Sequence, residues 1–421
     1  MNLLSLLFYK YRRFAKMLQI FAMVVGPGII VMTADNDAGG ITTYAVTGAK
    51  FAYSFIWIEF LLLPVCYVCQ EMTVRLGAVT KRGHAEAIFD AFGSFWGWFS
   101  LSDLVLTDWL TTVTEFIGIT AALSIFHVPP PLAVVGAIVL IFAMVVQGRY
   151  WTWEKIVMVF CVLNLIYIPA AFLVHPSVSA ILRGGVVPGF PFGLNSEVVF
   201  FLMANVGTTI APWMIFFQQS AVVDKGLRER DIRWERLDTA IGAFFTIAVG
   251  VFIIIVTGTL LRGANIESAA QAAVLLMPIN RYIGTFMVIG LFDAGLLGAI
   301  CISLASSWAL GEVFGWAHSL NQKVSQAPWF YLFRLVILAA AGAVVLIPDA
   351  PLILITLFVQ VIAVTLLPAA LVFLILLLNQ ADVVGKYKNT LLQNVVASAI
   401  VGGIIVLSTL YAVSTLFPGL F

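Results

Sequence analysis

Residues 35–40 combine two carboxylates, an amide and a pair of glycines inside an otherwise apolar segment. They read Asp-Asn-Asp-Ala-Gly-Gly, and the apolar segment around them runs from about residue 20 to residue 46. A charged side chain at the centre of a bilayer costs about 2.5–3.5 kcal/mol on insertion scales, and glycine disfavours a helix interior. The pattern therefore predicts a membrane helix that is interrupted here, with a break that forms half of a cation-binding site.

Asp37 is the first candidate for the charge that holds the cation. A carboxylate buried in lipid must be protonated or paired, and the apolar segments next to the break contain no Lys or Arg. A cation from outside the chain is then its natural partner. Asp is also a favoured N-cap residue, so a capping role for Asp37 stays open, and one residue can fill both roles. For Asp35, lining an access path and a structural role both stay open.

The composition indicates an integral membrane protein. The chain has 421 residues, of which 62% are hydrophobic and only 10% charged, whereas soluble domains carry about 25% charged residues. The net charge of +1 gives no reason to expect nucleic acid as a partner. The four cysteines lie in apolar segments and predict no disulfide framework. No motif of a hydrolase or zinc peptidase is present in the sequence, so we expect neither an enzyme nor a cofactor.

Eleven segments are long and apolar enough to cross a hydrocarbon core of about 30 Å. The predicted spans cover residues 20–47, 51–74, 95–126, 131–147, 155–175, 196–222, 238–261, 281–312, 329–347, 351–378 and 391–417. With the N-terminus in the cytoplasm, 18 of the 22 Lys and Arg residues fall on the cytoplasmic side, which fits the positive-inside rule. The sequence thus predicts one transmembrane domain over residues 1–421, with the C-terminus outside, in a cell membrane and more specifically a prokaryotic inner membrane.

A second interruption is predicted in the sixth span, at residues 204–213. Pro212 lacks an N–H and clashes with the carbonyl four residues earlier, so carbonyls near Thr208 should lose their helical partners. Spans 1 and 6 are both broken and lie five spans apart, which is typical of inverted repeats with a site at the midplane. We expect an all-α fold with a first repeat over about 20–175, a second over about 196–378 and an extra span at about 391–417.

The two breaks together offer oxygen ligands for a metal ion. The candidate metal-site residues are Asp37, Gly40, Thr208, Thr209, Ala211 and Gln360, with Asn36 as a further oxygen donor. Cys, His and Met are absent from the two breaks, residues 35–40 and 204–213. Oxygen ligands suit Mg²⁺, Ca²⁺ or Mn²⁺. Gly40 and Ala211 leave space, and Mg²⁺ usually keeps several of its waters. Gln360 is expected to face the pathway, and helix packing stays open as its role.

Several motifs resemble those of NRAMP transporters. The stretch from Gly26-Pro27-Gly28 to Asp37-Ala38-Gly39-Gly40 is similar to the first span of that family, which carries a D-P-G-N motif. The most specific match is QEMTVRLGAVTKRGHAE at residues 70–86. Further similarities are Glu115-Phe116-Ile117-Gly118, Glu312, and Gln360 with Leu367-Pro368. The resemblance covers essentially the whole chain and implies the LeuT-type fold and divalent-cation transport.

The departures from that pattern refine the prediction. Ala38 stands for the motif proline and Gly40 for its metal-binding asparagine, while Ala211-Pro212-Trp213 replaces M-P-H. A thioether ligand and a histidine linked to proton movement are thereby lost, and Thr112 replaces an expected carboxylate. This pattern is similar to the NRAMP-related magnesium transporters (NRMT), which implies transport of a partly hydrated Mg²⁺, with Mn²⁺ as a second ion, without proton coupling.

Two other transport functions stay open. A proton-coupled Mn²⁺ or Fe²⁺ carrier would need another base, such as Glu115 or Asp35. A sodium-coupled amino-acid symporter of the same architecture is disfavoured, because Asp37 would repel the substrate carboxylate. The oligomeric state does not follow from the sequence, and a monomer is compatible with it. His84 is predicted to be solvated in a cytoplasmic loop.

Overall fold

The computed structural model describes residues 17, 21, 23–190, 193 and 195–416, and their regular structure is helical throughout. Residues 20 and 417, at the outer ends of the first and last predicted spans, and the N-terminal cations at 10, 12, 13 and 16 lie outside the described residues. In chain order, helices α1 to α18 are Pro27–Asp35, Ala38–Phe51, Ile56–Thr80, His84–Phe92, Ser94–Ser124, Pro130–Val145, Tyr150–Asn164, Tyr167–Leu173, Val178–Val186, Ser196–Thr209, Pro212–Asp224, Ile232–Leu260, Ala269–Leu276, Arg281–Phe314, Pro328–Val345, Leu352–Asn379, Ala381–Val384 and Leu391–Leu416.

Nine helical segments in the described part of the chain are long and apolar enough to cross a membrane. They are Ile56–Thr80, Ser94–Ser124, Tyr150–Leu173, Ser196–Asp224, Glu229–Leu260, Arg281–Phe314, Pro328–Val345, Leu352–Asn379 and Leu391–Leu416. The first predicted span is not among them because Asn36 and Asp37 divide it into α1 and α2. The fourth corresponds to α6, whose 16 residues rise about 24 Å, less than a full crossing. The count of eleven spans therefore stays a prediction.

Both predicted interruptions are present, and this part of the fold prediction is confirmed. Between α1 and α2, Asn36 leaves helical geometry at φ −74° and ψ 57°, and Asp37 is extended at φ −73° and ψ 175°. Between α10 and α11, Ile210 and Ala211 are extended, at φ −147° and φ −117°. Each break thus leaves a helix C-terminus and a helix N-terminus inside the protein.

Helix α12 holds both halves of the first broken helix through glycine contacts. A Cβ on Gly28 in α1 would lie 2.7 Å from the backbone nitrogen of Thr239, and one on Gly48 in α2 would lie 2.6 Å from the carbonyl oxygen of Ile254. Both distances are shorter than a side chain tolerates, so only glycine allows the backbones to approach so closely. The position of the break is therefore fixed from both sides by one long helix.

Helices α5 and α14 also pack closely, beside the first break. A Cβ on Gly295 would lie 2.9 Å from the carbonyl oxygen of Glu115, and one on Gly298 would lie 2.7 Å from the carboxyl carbon of the same residue. A Cβ on Gly118 would lie 2.2 Å from the Cβ of Ala38, the first residue of α2. This packing brings Glu115 to the start of α2.

Candidate cation site at the two helix breaks

Asp37 is the N-cap of α2. Its Oδ1 accepts a hydrogen bond from the backbone N–H of Gly40 at 2.6 Å, and only 3% of the residue is exposed. The capping interpretation is therefore correct, and it leaves the second carboxylate oxygen for another partner. The N-terminal end of α2, where backbone N–H groups lack helical partners, points at this carboxylate.

Three oxygen atoms from both breaks lie close together beside Gly40, which has no side chain to separate them. A Cβ on Gly40 would lie 2.5 Å from Thr208 Oγ1, 3.3 Å from the carbonyl oxygen of Asp35 and 3.3 Å from Asp37 Oδ1. Thr208 Oγ1 is buried and has no hydrogen-bond partner among the described residues. A hydroxyl, a carbonyl and a carboxylate therefore converge on one point, where the chain places no side chain of its own.

The backbone at the second break adds free carbonyl groups. Pro212 has no N–H to offer the carbonyl of Thr208, four residues earlier. The N–H of Ala211, which would reach the carbonyl of Gly207 in a continuous helix, donates instead to Met214 Sδ at 3.4 Å. Thr208 thus presents a hydroxyl and a carbonyl without a helical partner, in agreement with the effect predicted for the proline.

Gln360 is wedged between the two breaks. A Cβ on Gly39 would lie 2.1 Å from Gln360 Nε2 and 3.2 Å from Asp37 Oδ1, and one on Gly207 would lie 2.0 Å from the Gln360 carbonyl oxygen. Within the described part of the chain, Nε2 has no hydrogen-bond partner. The residue both packs against the second break and directs its amide towards the first, so the two roles left open by the sequence are compatible.

Thr209 and Asn36 direct their polar groups elsewhere. The hydroxyl of Thr209 donates to the carbonyl of Asn205 at 2.7 Å and contacts Tyr44 Oη at 2.9 Å. The amide of Asn36 donates to the carbonyl of Thr246 at 3.3 Å. Neither contact leads to the space at Gly40, so a direct ligand role for these two residues stays a prediction.

Two sulfur atoms border the second break, and sequence reasoning missed both as capping groups. Met214 accepts the N–H of Ala211, as described above, and Cys66 Sγ donates to the carbonyl of Thr209 at 3.2 Å. Met214 lies one residue past the predicted interruption at 204–213, and Cys66 lies in another apolar segment with no predicted link to this break. The signal for Met214 was its position three residues after the N-cap of α11, where a side chain can reach back to the cap.

Glu115 forms a hydrogen bond at the first break that the proline of the family motif could not form. Because residue 38 is alanine and not proline, it has an N–H, which donates to Glu115 Oε2 at 3.0 Å. Asp37 directly precedes Ala38 and accepts the N–H of Gly40, and both acidic residues are buried. Two buried carboxyl groups are therefore held at the start of α2.

The remaining acidic groups near the first break do not form a metal cluster. Asp35 Oδ2 and both carboxylate oxygens of Glu59 are buried without a hydrogen-bond partner in the described residues. Across the same residues, no three His, Cys, Asp or Glu side chains are placed to hold a metal ion together. A cation at Gly40 would therefore depend on Asp37, backbone carbonyls, a hydroxyl and water.

The prediction that His84 is solvated is wrong. The residue begins α4, which packs beneath α11, and its ring is fully buried against Phe216 at 4.8 Å between centroids. Nδ1 donates to Gln219 Oε1 at 3.0 Å, since the Gln219 amide nitrogen already donates to the carbonyl of Arg82. Burial lowers the pKa of His84 to about 4, although the hydrogen bond to Gln219 opposes this shift. The sequence between the two spans is polar and gives no sign that it forms a short helix packed into the protein.

Comparison with known proteins places this geometry in context. The family model described as Natural resistance-associated macrophage protein-like matches residues 28–414. A divalent metal cation transporter MntH from Caldanaerobacter subterraneus subsp. tengcongensis is 24% identical over 415 residues, covering 95% of this chain and 94% of the relative. Another MntH, from Staphylococcus saprophyticus subsp. saprophyticus, is 24% identical over 419 residues, covering 92% and 90%.

Solved structures share the fold. A manganese transporter from Eremococcus coleocola, in complex with an aromatic bis-isothiourea substituted compound, superposes with a TM-score of 0.79 at 19% identity, covering 94% of this chain and 86% of that one. MhsT in complex with L-phenylalanine superposes with a TM-score of 0.59 at 13% identity, covering 92% and 98%. Together with the two broken helices, these likenesses confirm the predicted LeuT-type architecture.

Proposed function

We propose a function from the premise that this chain belongs to the natural resistance-associated macrophage protein family. The protein transports divalent metal ions, with Mg²⁺ as its main substrate and Mn²⁺ as a second ion. The observation that carries the proposal is the convergence of Asp37 Oδ1, Thr208 Oγ1 and the Asp35 carbonyl on the space at Gly40. Within the family, we place the chain closest to the NRAMP-related magnesium transporters.

The proposed site consists of hard oxygen ligands. Asp37 supplies the negative charge, Thr208 supplies a hydroxyl and a backbone carbonyl, and Gln360 supplies an amide that can turn its oxygen towards the ion. Ala211 contributes a small side chain that does not crowd the second break. Thr209 follows Thr208 at the second break, with its hydroxyl hydrogen-bonded to Asn205 and Tyr44. Oxygen ligands favour Mg²⁺ and Mn²⁺ over softer metals. Mg²⁺ is favoured in particular, because it keeps several of its waters and gives them up reluctantly, so that few protein ligands are needed.

The proposed mechanism is alternating access without proton coupling. The two breaks supply the flexible points at which half-helices tilt around a fixed midplane site. We further propose eleven spans in one domain, with the N-terminus in the cytoplasm and the C-terminus outside, in a prokaryotic inner membrane. The charge distribution supports this orientation.

The proposal is tested by Mg²⁺ uptake into vesicles that contain the purified protein. Asp37→Ala is expected to abolish uptake, because no other described carboxylate occupies the space at Gly40. Asp103→Asn is the matched control, since Asp103 lies in a different, peripheral cavity beside Trp98 and Leu366. Mg²⁺ uptake that persists in the Asp37 variant would reject the proposed site. A wild-type protein that neither takes up Mg²⁺ nor shows competition between Mg²⁺ and Mn²⁺ would reject Mg²⁺ as the substrate.

A second candidate function is proton-coupled Mn²⁺ or Fe²⁺ transport. The observation that favours it is the placement of two buried carboxyl groups, Asp37 and Glu115, at the start of α2, where one of them can carry a proton and release it when an ion binds. This candidate predicts acidification of the vesicle interior during uptake and a preference for Fe²⁺ or Cd²⁺ over Mg²⁺. Uptake of Mg²⁺ at constant interior pH excludes it.

A further inference from the structure

Three cationic side chains from distant parts of the chain line one cavity. The cavity measures about 710 Å³, and its lining includes Lys50 from α2, Arg183 from α9 and Arg262, which follows α12. With Arg281 these are the four cations that the positive-inside count places away from the cytoplasm. A membrane face that is poor in cations therefore concentrates three of them around one space.

Close backbone contacts build this cavity. A Cβ on Gly184 would lie 2.3 Å from the carbonyl oxygen of Tyr53, so glycine lets α9 lie directly against the turn that follows α2. Gly263, at φ +78°, donates its N–H to the carbonyl of Ala49 at 2.8 Å. Each contact involves the immediate neighbour of a cavity arginine, so both arginines are held beside Lys50 by the main chain.

The positive charge in the cavity is only partly neutralised. Lys50 forms an ion pair with Glu197. Arg183 and Arg262 are exposed, and among the described residues neither has a carboxylate within ion-pair distance. Two guanidinium groups in one cavity repel each other, and an anion with several oxygens would relieve that repulsion through paired N–H donors.

An apolar surface adjoins the arginines. Helix α9 buries none of its residues, and Val178, Leu182 and Val186, spaced four residues apart, expose 66%, 62% and 77% of their surfaces. Residues at this spacing form one stripe along a helix. In a membrane protein, a short helix with an apolar stripe and an arginine beside it fits the boundary between headgroups and acyl chains.

We propose that this cavity binds the phosphate group of an anionic phospholipid, whose acyl chains lie along the apolar stripe of α9. The guanidinium groups of Arg183 and Arg262 contact the phosphate oxygens, and Lys50 adds charge from the end of α2. Because Asp37 caps the N-terminus of α2, the bound lipid stabilises the position of the half-helix next to the ion site. Free inorganic phosphate offers the same oxygens but lacks the acyl chains, so the two sources can be told apart.

The test measures binding to the full-length protein in an uncharged detergent. Isothermal titration calorimetry is carried out with dihexanoyl phosphatidylglycerol, dihexanoyl phosphatidylcholine and inorganic phosphate as separate probes. The double variant Arg183→Gln/Arg262→Gln should weaken phosphatidylglycerol binding on the order of 30-fold, if each cation contributes about 1 kcal/mol. Arg281→Gln is the matched control, because it removes an exposed cation that does not line the cavity, and it should leave the affinity within about twofold.

The results that would overturn the proposal are distinct. Equal affinity for inorganic phosphate and phosphatidylglycerol would make this a free-anion site and refute the lipid. An unchanged affinity in the double variant, or an equal loss in Arg281→Gln, would show that general surface charge is responsible. Arg183→Lys/Arg262→Lys guards against a folding defect, since it keeps the charge and should recover part of the affinity. Metal uptake is not measured, so failure of the transport proposal would not affect this result.

Discussion

Replacing Gly40 by alanine tests the geometry of the ion site without altering any charge. The new Cβ would lie 2.5 Å from Thr208 Oγ1, whereas ordinary contacts begin near 3.4 Å, so the hydroxyl must retreat by about 0.9 Å. It would also lie 3.3 Å from the Asp35 carbonyl and Asp37 Oδ1, which leaves little freedom to move aside. The methyl group therefore occupies the point on which the proposed oxygen ligands converge.

The expected loss follows from the cost of overpacking. Forcing a methyl group into a packed site typically costs about 1–3 kcal/mol. Because about 1.4 kcal/mol corresponds to a factor of ten, the apparent affinity for Mg²⁺ should fall about 5- to 150-fold. Alanine favours a helix over glycine by about 1 kcal/mol, which offsets part of this cost in the free energy of unfolding, so the loss of stability should not exceed about 2 kcal/mol.

The assay is concentration-dependent Mg²⁺ uptake into vesicles, together with thermal unfolding of the same preparations. Gly136→Ala in α6 is the matched control, because a Cβ there meets open space and should leave uptake unchanged. Wild-type affinity for Mg²⁺ in Gly40→Ala would refute the placement of the ion beside Gly40. A parallel collapse of stability and uptake would show that the substitution disrupts folding and not the site.

Substitutions at three further residues test other parts of the account. Ala211→Met adds a thioether at the second break and should raise inhibition of Mg²⁺ uptake by Cd²⁺ about tenfold or more, measured by competition, since sulfur favours soft metals. Glu115→Gln should keep Mg²⁺ uptake within a few-fold, because an amide oxygen still accepts the Ala38 N–H. Glu115→Ala removes this acceptor and should lower uptake further. Equal loss of uptake in both variants would indicate that the carboxylate itself is needed. His84→Gln should flatten the decline in unfolding temperature between pH 6.5 and pH 4. Over that range the unfolded histidine, with a pKa of about 6.5, gains a proton that the buried one does not accept until pH about 4, which lowers wild-type stability by up to about 3 kcal/mol.

The breaks in the two helices could be predicted because their causes are local. Asp37 and the two glycines after it disfavour a continuous helix, and Pro212 cannot donate to the carbonyl of Thr208. Each of these effects is a property of a few consecutive residues. Their five-span separation then predicted an inverted-repeat architecture, and the chain shares its fold with the solved structures described above.

The contacts that complete the site depend on tertiary packing and could not be predicted. Glu115 reaches the N–H of Ala38 because glycines in α14 let α5 approach closely. The thiol of Cys66 reaches the Thr209 carbonyl from another helix, and His84 is buried because α4 folds beneath α11. No periodicity in the sequence encodes such pairings between distant segments. The cation-lined cavity beside α9 arises in the same way.

The central claim is tested most directly by paired flux measurements on one protein preparation. Uptake of Mg²⁺ and Mn²⁺ into vesicles is recorded at two external pH values, with a dye that reports the interior pH. The account predicts that Mg²⁺ enters at similar rates at both pH values, that Mn²⁺ competes with it, and that the interior pH stays constant. Uptake of Mn²⁺ alone, accelerated at low external pH and accompanied by interior acidification, would contradict it.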